Sequence, residues 1–362
     1  MTKLCVYAIS KNEIKFAARW LDAVKEADYV CVLDTGSTDG TYEFFKQANI
    51  ITQQKHYKNF RFDQARNDSL KLIPKDADIC FCIDIDEIPH PGFSKLIKEN
   101  WDNKTGRMRY RYTWNFNPDG SEGIVFYADK IHKAGAYIWT HPVHEVLTQT
   151  TKQEYTTKTL SNLQLDHHAD NSKSRSSYLP LLELSVKENP QDDRNVHYLG
   201  REYMFNGQYD KAINTLTQHL KLPTANWTDE RVASLRYIAQ CYAAKNDSQN
   251  AEKYYNLAIL EGSYLREPYY ELALFYFNNQ NYLKCAVLLT EMLKINSRSL
   301  NYMSSPVCWG SLPYDYLSLC QYQLGNYKQA LIAVDEAIKL NPEDTRLKEN
   351  RTLFLQKLNK TN

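Results

Sequence analysis

The sequence predicts an α/β domain over residues 1–170, followed by an all-α domain of helical repeats over residues 171–362. Three observations carry this. Short apolar runs alternate with helical periods through the first part. The third of those runs ends in a carboxylate cluster, Asp84-Ile85-Asp86-Glu87. In the second part a small residue recurs at positions 212, 251, 285 and 330.

The first domain opens with a short apolar strand, Leu4 to Ile9. Glu13 to Lys25 has helical period, with Phe16, Ala17, Trp20, Leu21 and Val24 on one face. Tyr29 to Leu33 reads as a second strand, followed by a loop rich in Gly, Ser, Thr and Asp. Thr41 to Gln47 opens a helix with Thr38 or Asp39 as its candidate N-cap. A further helix, about Phe62 to Leu72, precedes the strand Ile79 to Ile83. This order feeds a mostly parallel sheet. Beyond Pro91 the pattern turns strand-rich. Arg107 to Trp114 alternates basic residues with Tyr and Met, which predicts an antiparallel strand whose arginines form a solvated face.

The tip of the third strand is the chemically loaded point. Open α/β sheets bind ligands at the C-terminal ends of their strands. Asp84 and Asp86 share a face if the strand continues and diverge if it turns; Pro89 and Pro91 predict a turn soon after. Hard divalent cations such as Mn²⁺ or Mg²⁺ use one or two carboxylates together with substrate phosphates. An acidic pair of this kind is also what a solvated loop carries, so the surrounding residues decide its meaning.

In the second domain the small residues fall 39, 34 and 45 positions apart, around a period of ~34. Tyr and Leu fill the next layer. Ser176 to Pro190 reads as the second helix of a partial repeat, and Asn296 to Pro313 as a Ser/Pro/Gly-rich loop inside the longest interval. The pattern resembles tetratricopeptide repeats, whose stacked helices hold a peptide or another domain or serve only as a packing scaffold.

Composition excludes several classes. The formal net charge is +1, which gives no strong pull on nucleic acid or acidic membrane. No run of about eighteen apolar residues exists, so no transmembrane segment is expected. The N-terminus enters strand-like sequence directly, without the apolar stretch of a signal peptide. The eight cysteines are scattered, and Cys80 and Cys82 share one strand face. They read as buried reduced thiols of a cytoplasmic protein. Exposed Tyr-rich helices permit a homodimer.

Further residues accompany the acidic tip. Ser10-Lys11-Asn12-Glu13 follows the first strand and Asp34-Thr-Gly-Ser-Thr-Asp39-Gly40-Thr41 the second. Ala65-Arg66-Asn67 precedes the third. Pro142-Val143-His144-Glu145 and Asp166-His167-His168 come near the end of the domain. In order and spacing this set resembles the family 2 glycosyltransferases of GT-A fold, a Rossmann-like nucleotide-diphospho-sugar transferase architecture. The layout is similar to the sublancin-type S-glycosyltransferases, which continue into tetratricopeptide-like helices bearing a Gly-Arg-Glu, here Gly200-Arg201-Glu202.

The resemblance implies a metal-dependent inverting glycosyltransferase using a nucleotide-sugar donor, a UDP-sugar by family habit. It implies that Asp34 accepts from the N3–H of uracil or the equivalent edge of another base, and that Glu13 lies near the ribose. Arg66 would reach the nucleotide or diphosphate with Asn67 in support. Asp84 would touch ribose or a metal-bound water. Asp86 would ligate Mn²⁺ or Mg²⁺, and His167, rather than His168, would complete the shell. Glu145 would be the general base, with His144 its neighbour or a sugar contact. The acceptor would be a peptide, protein or glycan. The catalytic part is short for such a fold, so Tyr178 to Tyr209 would wall the acceptor site.

Each residue has a plainer reading beside this one. Asp34 and Asp39 suit helix caps, and Glu13 a first-turn acid facing the helix dipole. Arg66 suits a surface position, Glu145 a strand-end ion pair, and His141 a structural loop. A different class of protein also fits: a non-catalytic, repeat-based interaction protein carrying a degenerate transferase domain. A nucleotidyltransferase would want a Gly-rich loop with Arg or Lys near the N-terminus, and Ala8-Ile9-Ser10-Lys11-Asn12 offers none.

Overall fold

A computed structural model describes residues 2–170 and 178–361. It divides into two compact units, 1–185 and 186–362, each treated separately below. The expected boundary lay at 170/171. The division instead falls inside a helix, Tyr178–Glu188, of which the expected Ser176 start lies outside the described residues.

The first unit contains β1 (Leu4–Ser10), α1 (Ile14–Val24), β2 (Tyr29–Asp34), α2 (Thr41–Gln47), β3 (Ile51–Gln54), α3 (Phe62–Leu70) and β4 (Ile79–Cys82). These are followed by β5 (Glu87–Pro89), α4 (Phe93–Asn100), β6 (Thr105–Thr113), β7 (Val125–Lys133), β8 (Tyr137–Thr140), β9 (Val146–Gln149), β10 (Thr156–His167) and α5 (Tyr178–Glu188). Eight strands form one mixed sheet in the order β3-β2-β1-β4-β7-β6-β10-β5, while β8 and β9 make a separate hairpin. The four strands from β3 to β4 are all parallel. β7 runs antiparallel to both β4 and β6.

Alternation of side chains puts two cores on the sheet's two faces. Leu4, Val6, Val32, Ile79 and Phe81 point to the side covered by Ala17, Trp20 and Val24 of α1 and Phe45 of α2. Cys5, Tyr7, Cys31, Cys80 and Cys82 point to the other, under Tyr137, Trp139 and Leu147 of the hairpin. All eight cysteines are buried free thiols, as expected; Cys5 Sγ and Cys31 Sγ lie 3.5 Å apart, unbonded.

Three local features depart from expectation. β3 was not anticipated: it is a polar edge strand, Ile-Thr-Gln-Gln, paired only with β2, so no apolar alternation marks it. The N-cap of α2 is Gly40 at φ 95°, not Thr38 or Asp39. Asp39 lies one residue earlier and serves two helices, accepting from Thr41 N at 3.0 Å and from Ile14 N at 3.1 Å. Third, α3 stops at Leu70. The arginines of β6 behave as expected, Arg107 pairing with Asp129 and Arg111 with Glu122 on the outer face.

The second unit is helical: α6 (Asp193–Phe205), α7 (Tyr209–His219), α8 (Thr228–Ala244), α9 (Ser248–Glu261), α10 (Arg266–Asn278) and α11 (Tyr282–Met292). It ends with α12 (Leu312–Gln323), α13 (Tyr327–Leu340) and α14 (Thr345–Thr361). Ala212, Ala251, Cys285 and Ala330 are fully buried in α7, α9, α11 and α13, as the period predicts. The turns repeat with the same spacing. Gly207, Asn246, Gln280 and Gly325 all have positive φ, between 58° and 78°. Residues of this kind relieve the left-handed conformation that closes a helix.

The interval 296–313 is not a plain loop. It carries a 3-10 turn at Pro306–Trp309 and lies as a strap across the starts of α6, α8 and α10. Tyr302 stacks on Tyr198 and receives a hydrogen bond from Arg194 at 3.0 Å. Asn301 bonds Asp229, and Ser305 N donates to Glu267 at 2.7 Å.

Gly200 of α6 is a packing residue: a Cβ there would meet Leu216 Cγ at 2.5 Å. Gly200→Ala should therefore destabilise the helical unit by about 1–3 kcal/mol despite alanine's better helix propensity. At Gly310 an added Cβ meets nothing within 4 Å, so Gly310→Ala should stay within about 0.5 kcal/mol of wild type. Urea denaturation of both variants measures the contrast.

Candidate functional site

The site is built where β1, β2 and β4 end. β1 lies between β2 and β4, and the chain leaves β1 in one direction and returns on its other side. Open sheets form ligand crevices at such a reversal.

Asp34 ends β2 opposite Ser10, its register partner on β1. Its carboxylate accepts from Ser10 Oγ (2.9 Å), Gln54 Nε2 (2.9 Å), Gly36 N (3.0 Å), Ser37 N (2.8 Å) and the Ser37 hydroxyl. Burial works against its charge, but the hydrogen bonds from Ser37 and Gln54 win and hold the carboxyl below its usual range. Five donors fill a carboxylate's capacity. Asp34 therefore shapes the loop, and a base edge would have to displace one of these donors. Glu13 sits at the N-cap of α1, buried, with its backbone N–H donating to Thr41 Oγ1 at 2.8 Å.

Beyond β4 the two aspartates diverge. Asp84 turns inward to a chain of alternating charge. Arg66, buried on α3, donates Nη1 to Asp84 Oδ1 at 2.8 Å and Nη2 to Oδ2 at 3.2 Å, and its Nε donates to Glu145. Lys130 of β7 reaches Asp84 Oδ2 at 2.8 Å and Glu87 Oε1 at 2.7 Å. Glu87 also accepts from Asp84 N at 2.8 Å and from the Tyr112 hydroxyl at 2.7 Å. Burial alone would raise Asp84, yet Arg66 and Lys130 hold it far below the ordinary range. Glu87 moves up, because burial and neighbouring Asp84 outweigh Lys130.

This corrects the expected role of Arg66. It is neither a surface residue nor extended toward a diphosphate, because its guanidinium is committed to Asp84 and Glu145. Asp84 likewise faces these two cations and not a ribose. Asn67 next to Arg66 holds the hairpin: Nδ2 donates to Trp139 O at 2.7 Å and Trp139 N donates to Oδ1 at 2.8 Å. Glu145 is in direct contact with Arg66, the ion pair that the plainer reading of that residue expected. His144 precedes it at φ 52°, its ring edge-on to Tyr178. His141, at φ 79°, marks the other side of this turn, and Pro142 O accepts from Phe62 N at 3.0 Å, tying the turn to the start of α3.

Asp86 turns the other way. Its Oδ2 lies 3.4 Å from His167 Nε2 at the end of β10. His167 Nδ1 is 2.9 Å from Trp114 O, a carbonyl that only accepts, so Nδ1 carries the proton. Nε2 faces Asp86; burial disfavours the imidazolium, but the Asp86 carboxylate outweighs it and raises the ring's pKa above its usual value. The ring packs against Trp114 and Tyr112, with centroids 4.5 and 6.2 Å away. A backbone carbonyl fixing one nitrogen while the other faces a carboxylate is the arrangement a metal-ligating histidine needs. His168 is placed differently: its backbone N–H donates to Asp86 O at 2.8 Å while its ring stacks on Phe116.

Sequence reasoning missed Lys130 and the role of Glu87. Glu87 stood inside the acidic tip. Lys130 carried no local signal, because only β7's pairing with β4 and β6 brings it there.

In the helical unit, the family model for the tetratricopeptide repeat matches residues 311–344, which are α12 and α13 with the loops around them. These residues are a tetratricopeptide repeat. Solved structures similar to the chain include MamA (17% identity, TM-score 0.37, covering 46% of this chain and 89% of that one). The yeast Tom70 structure is similar at 13% identity and TM-score 0.39, covering 51% of this chain and 37% of that one. TTC0263, a tetratricopeptide protein of Thermus thermophilus, matches at 17% identity and TM-score 0.35, covering 49% and 89%. Among curated protein sequences none matches this chain. No helix among the described residues is long and apolar enough to cross a membrane.

The depressed carboxyl of Asp84 makes a pH prediction. A group whose folded pKa lies below its unfolded value stabilises above the unfolded pKa, about 3.9 for Asp, and loses that contribution as pH falls. Asp84→Asn should therefore be less stable than wild type at pH 7, with the difference shrinking as pH drops below about 4. Urea midpoints across pH 7 to 2 test this; a constant difference would contradict it.

Proposed function

We propose that the first unit is a metal-dependent, inverting glycosyltransferase of GT-A type, moving a sugar from a nucleotide diphosphate, a UDP-sugar by resemblance, to a peptide or protein. The observation that carries this reading is the Asp86–His167 pair at the reversal point of the parallel strands, with the histidine's tautomer fixed by Trp114. One carboxylate oxygen and one imidazole nitrogen are donor types that would suit a divalent cation acting on a diphosphate. The imidazole favours Mn²⁺ over the harder Mg²⁺. A bound cation would supply Lewis-acid stabilisation of the departing diphosphate.

The chain's own residues divide the remaining work. Asp86 and His167 would hold the cation. Asp34 orders the Gly36–Ser37 backbone where the base would rest. Arg66, braced by Asp84, presents Glu145 through its Oε1. Glu145 Oε2 takes the proton of the attacking hydroxyl or thiol as the new bond forms on the face opposite the leaving group.

The second reading is a repeat-based interaction protein, favoured by the tetratricopeptide match at residues 311–344. Stacked repeats of this kind offer extended surfaces to protein partners. The two readings meet in a peptide or protein acceptor, and separate on whether the first unit binds nucleotide.

Calorimetric titration with UDP, with and without Mn²⁺, distinguishes them. Wild type should bind UDP in a Mn²⁺-dependent manner and Asp86→Ala should lose that dependence while remaining folded. No heat from wild type with UDP, GDP, CDP or dTDP would overturn the transferase reading and leave the interaction reading. Glu145→Gln should keep UDP affinity and slow sugar transfer by ~10²–10⁴-fold; normal transfer would move the base elsewhere.

A further inference from the structure

Three helices of the second unit bring metal-ligating atoms together at a place the proposed transfer chemistry does not use. Asp193 lies in the first turn of α6, His219 in the last turn of α7, and Glu230 in the first turn of α8. One ligand atom from each falls within 4.8 Å of the others. His219 is fully buried and Glu230 nearly so, while Asp193 is half-buried.

Acids in first turns and a histidine in a last turn each suit a helix dipole. The dipoles explain where each residue sits on its own helix, but not why three side chains converge. His219 Nε2 supplies a separate observation: it is buried without a hydrogen-bond partner, although Glu230 Oε1 is 3.3 Å away. A buried ring nitrogen beside two carboxylates, without a made hydrogen bond, is costly unless something occupies the space between them.

The outer contacts are in place. His219 Nδ1 lies 2.9 Å from Ser234 Oγ, which lies 2.8 Å from His197 Nδ1. Glu230 Oε2 accepts from the Tyr302 hydroxyl at 3.2 Å, and Arg194 in turn donates to Tyr302. Partners of this kind orient ligands and fix the tautomer of a metal-binding histidine.

We propose that Asp193, His219 and Glu230 form a divalent-cation site, selective for Zn²⁺, that clips α6, α7 and α8 together. Two carboxylates and a neutral imidazole balance a 2+ ion and match the ligand types zinc takes. Occupancy selects one proton arrangement: His219 Nδ1–H donates to Ser234 Oγ, and Ser234 donates to His197 Nδ1. The Nε2 lone pair is then a ligand. The strap enters the site through Tyr302, so the ion also holds residues 296–313 against the helix starts.

The test uses the full chain stripped with EDTA, in the Asp86→Ala background so that the first unit's pair cannot contribute. Calorimetric titration with Zn²⁺ should give one equivalent bound, with a rise in melting temperature. Adding Glu230→Gln should weaken binding by more than about 100-fold, the upper end of what losing an outer-shell partner costs. Ser234→Ala should weaken it by roughly 10–100-fold. If Glu230→Gln fails to fold by circular dichroism, the half-buried Asp193→Asn gives the same readout. Absence of Zn²⁺ uptake in Asp86→Ala overturns the proposal. Unchanged affinity in a folded Glu230→Gln or Asp193→Asn variant overturns it equally.

Discussion

The pairing of Asp84 with Arg66 and Lys130 is the interaction on which the first unit depends. The central strand β4 leads to a half-buried carboxylate that pairs with the buried Arg66, whose unpaired charge would cost several kcal/mol. The two cations come from α3 and β7, and each carries a second acid with it, Glu145 before β9 and Glu87 at the start of β5. Tyr112 of β6 closes the chain. One electrostatic network thus sets the relative positions of α3, β4, β5, β6, β7 and the turn before β9. A mixed sheet has no single hydrogen-bond ladder to do this, because its parallel and antiparallel parts meet at β4 and β7.

The same network separates two aspartates that stand two residues apart. Asp84 is consumed by the protein, and its negative charge is what makes a buried Arg66 tolerable. Asp86 is left beside His167, partly buried and outside that network. The turn at Asp84 to Glu87, closed by Glu87 N donating to Asp84 O at 2.9 Å, is the device that splits them. A straight strand would have pointed both carboxylates the same way. The different surroundings of the two carboxylates are therefore set by backbone direction, not by residue type.

The helical unit is organised by a different constraint. Each pair of helices closes through a left-handed residue and crosses at a small one, with both recurring at the same intervals. The registration follows because the turn sets where the second helix starts, and hence which residue meets the first. The extra length between α11 and α12 goes into a strap that satisfies acids at the helix starts: Asp229, Glu230 and Glu267 all accept from residues 299–305. An insertion that reads as loop in composition is bound by these hydrogen bonds.

What the sequence by itself determined is what depends on near neighbours in the chain. The strands β1, β2 and β4 and the helix α1 were legible from period alone, because burial imposes alternation of 2 or 3.6 residues on any segment with one covered face. The repeat spacing and the buried thiols were legible too. The polar edge strand β3 was not, since a strand half in solvent needs no apolar pattern. Nor were Lys130, the commitment of Arg66 to Asp84 and Glu145, or the meeting of Asp193, His219 and Glu230. Those depend on which elements become neighbours. Charges 46 and 79 residues apart, Asp84 with Lys130 and Arg66 with Glu145, meet only after the sheet has ordered its strands. That order is set by the packing of whole faces, which no local pattern records.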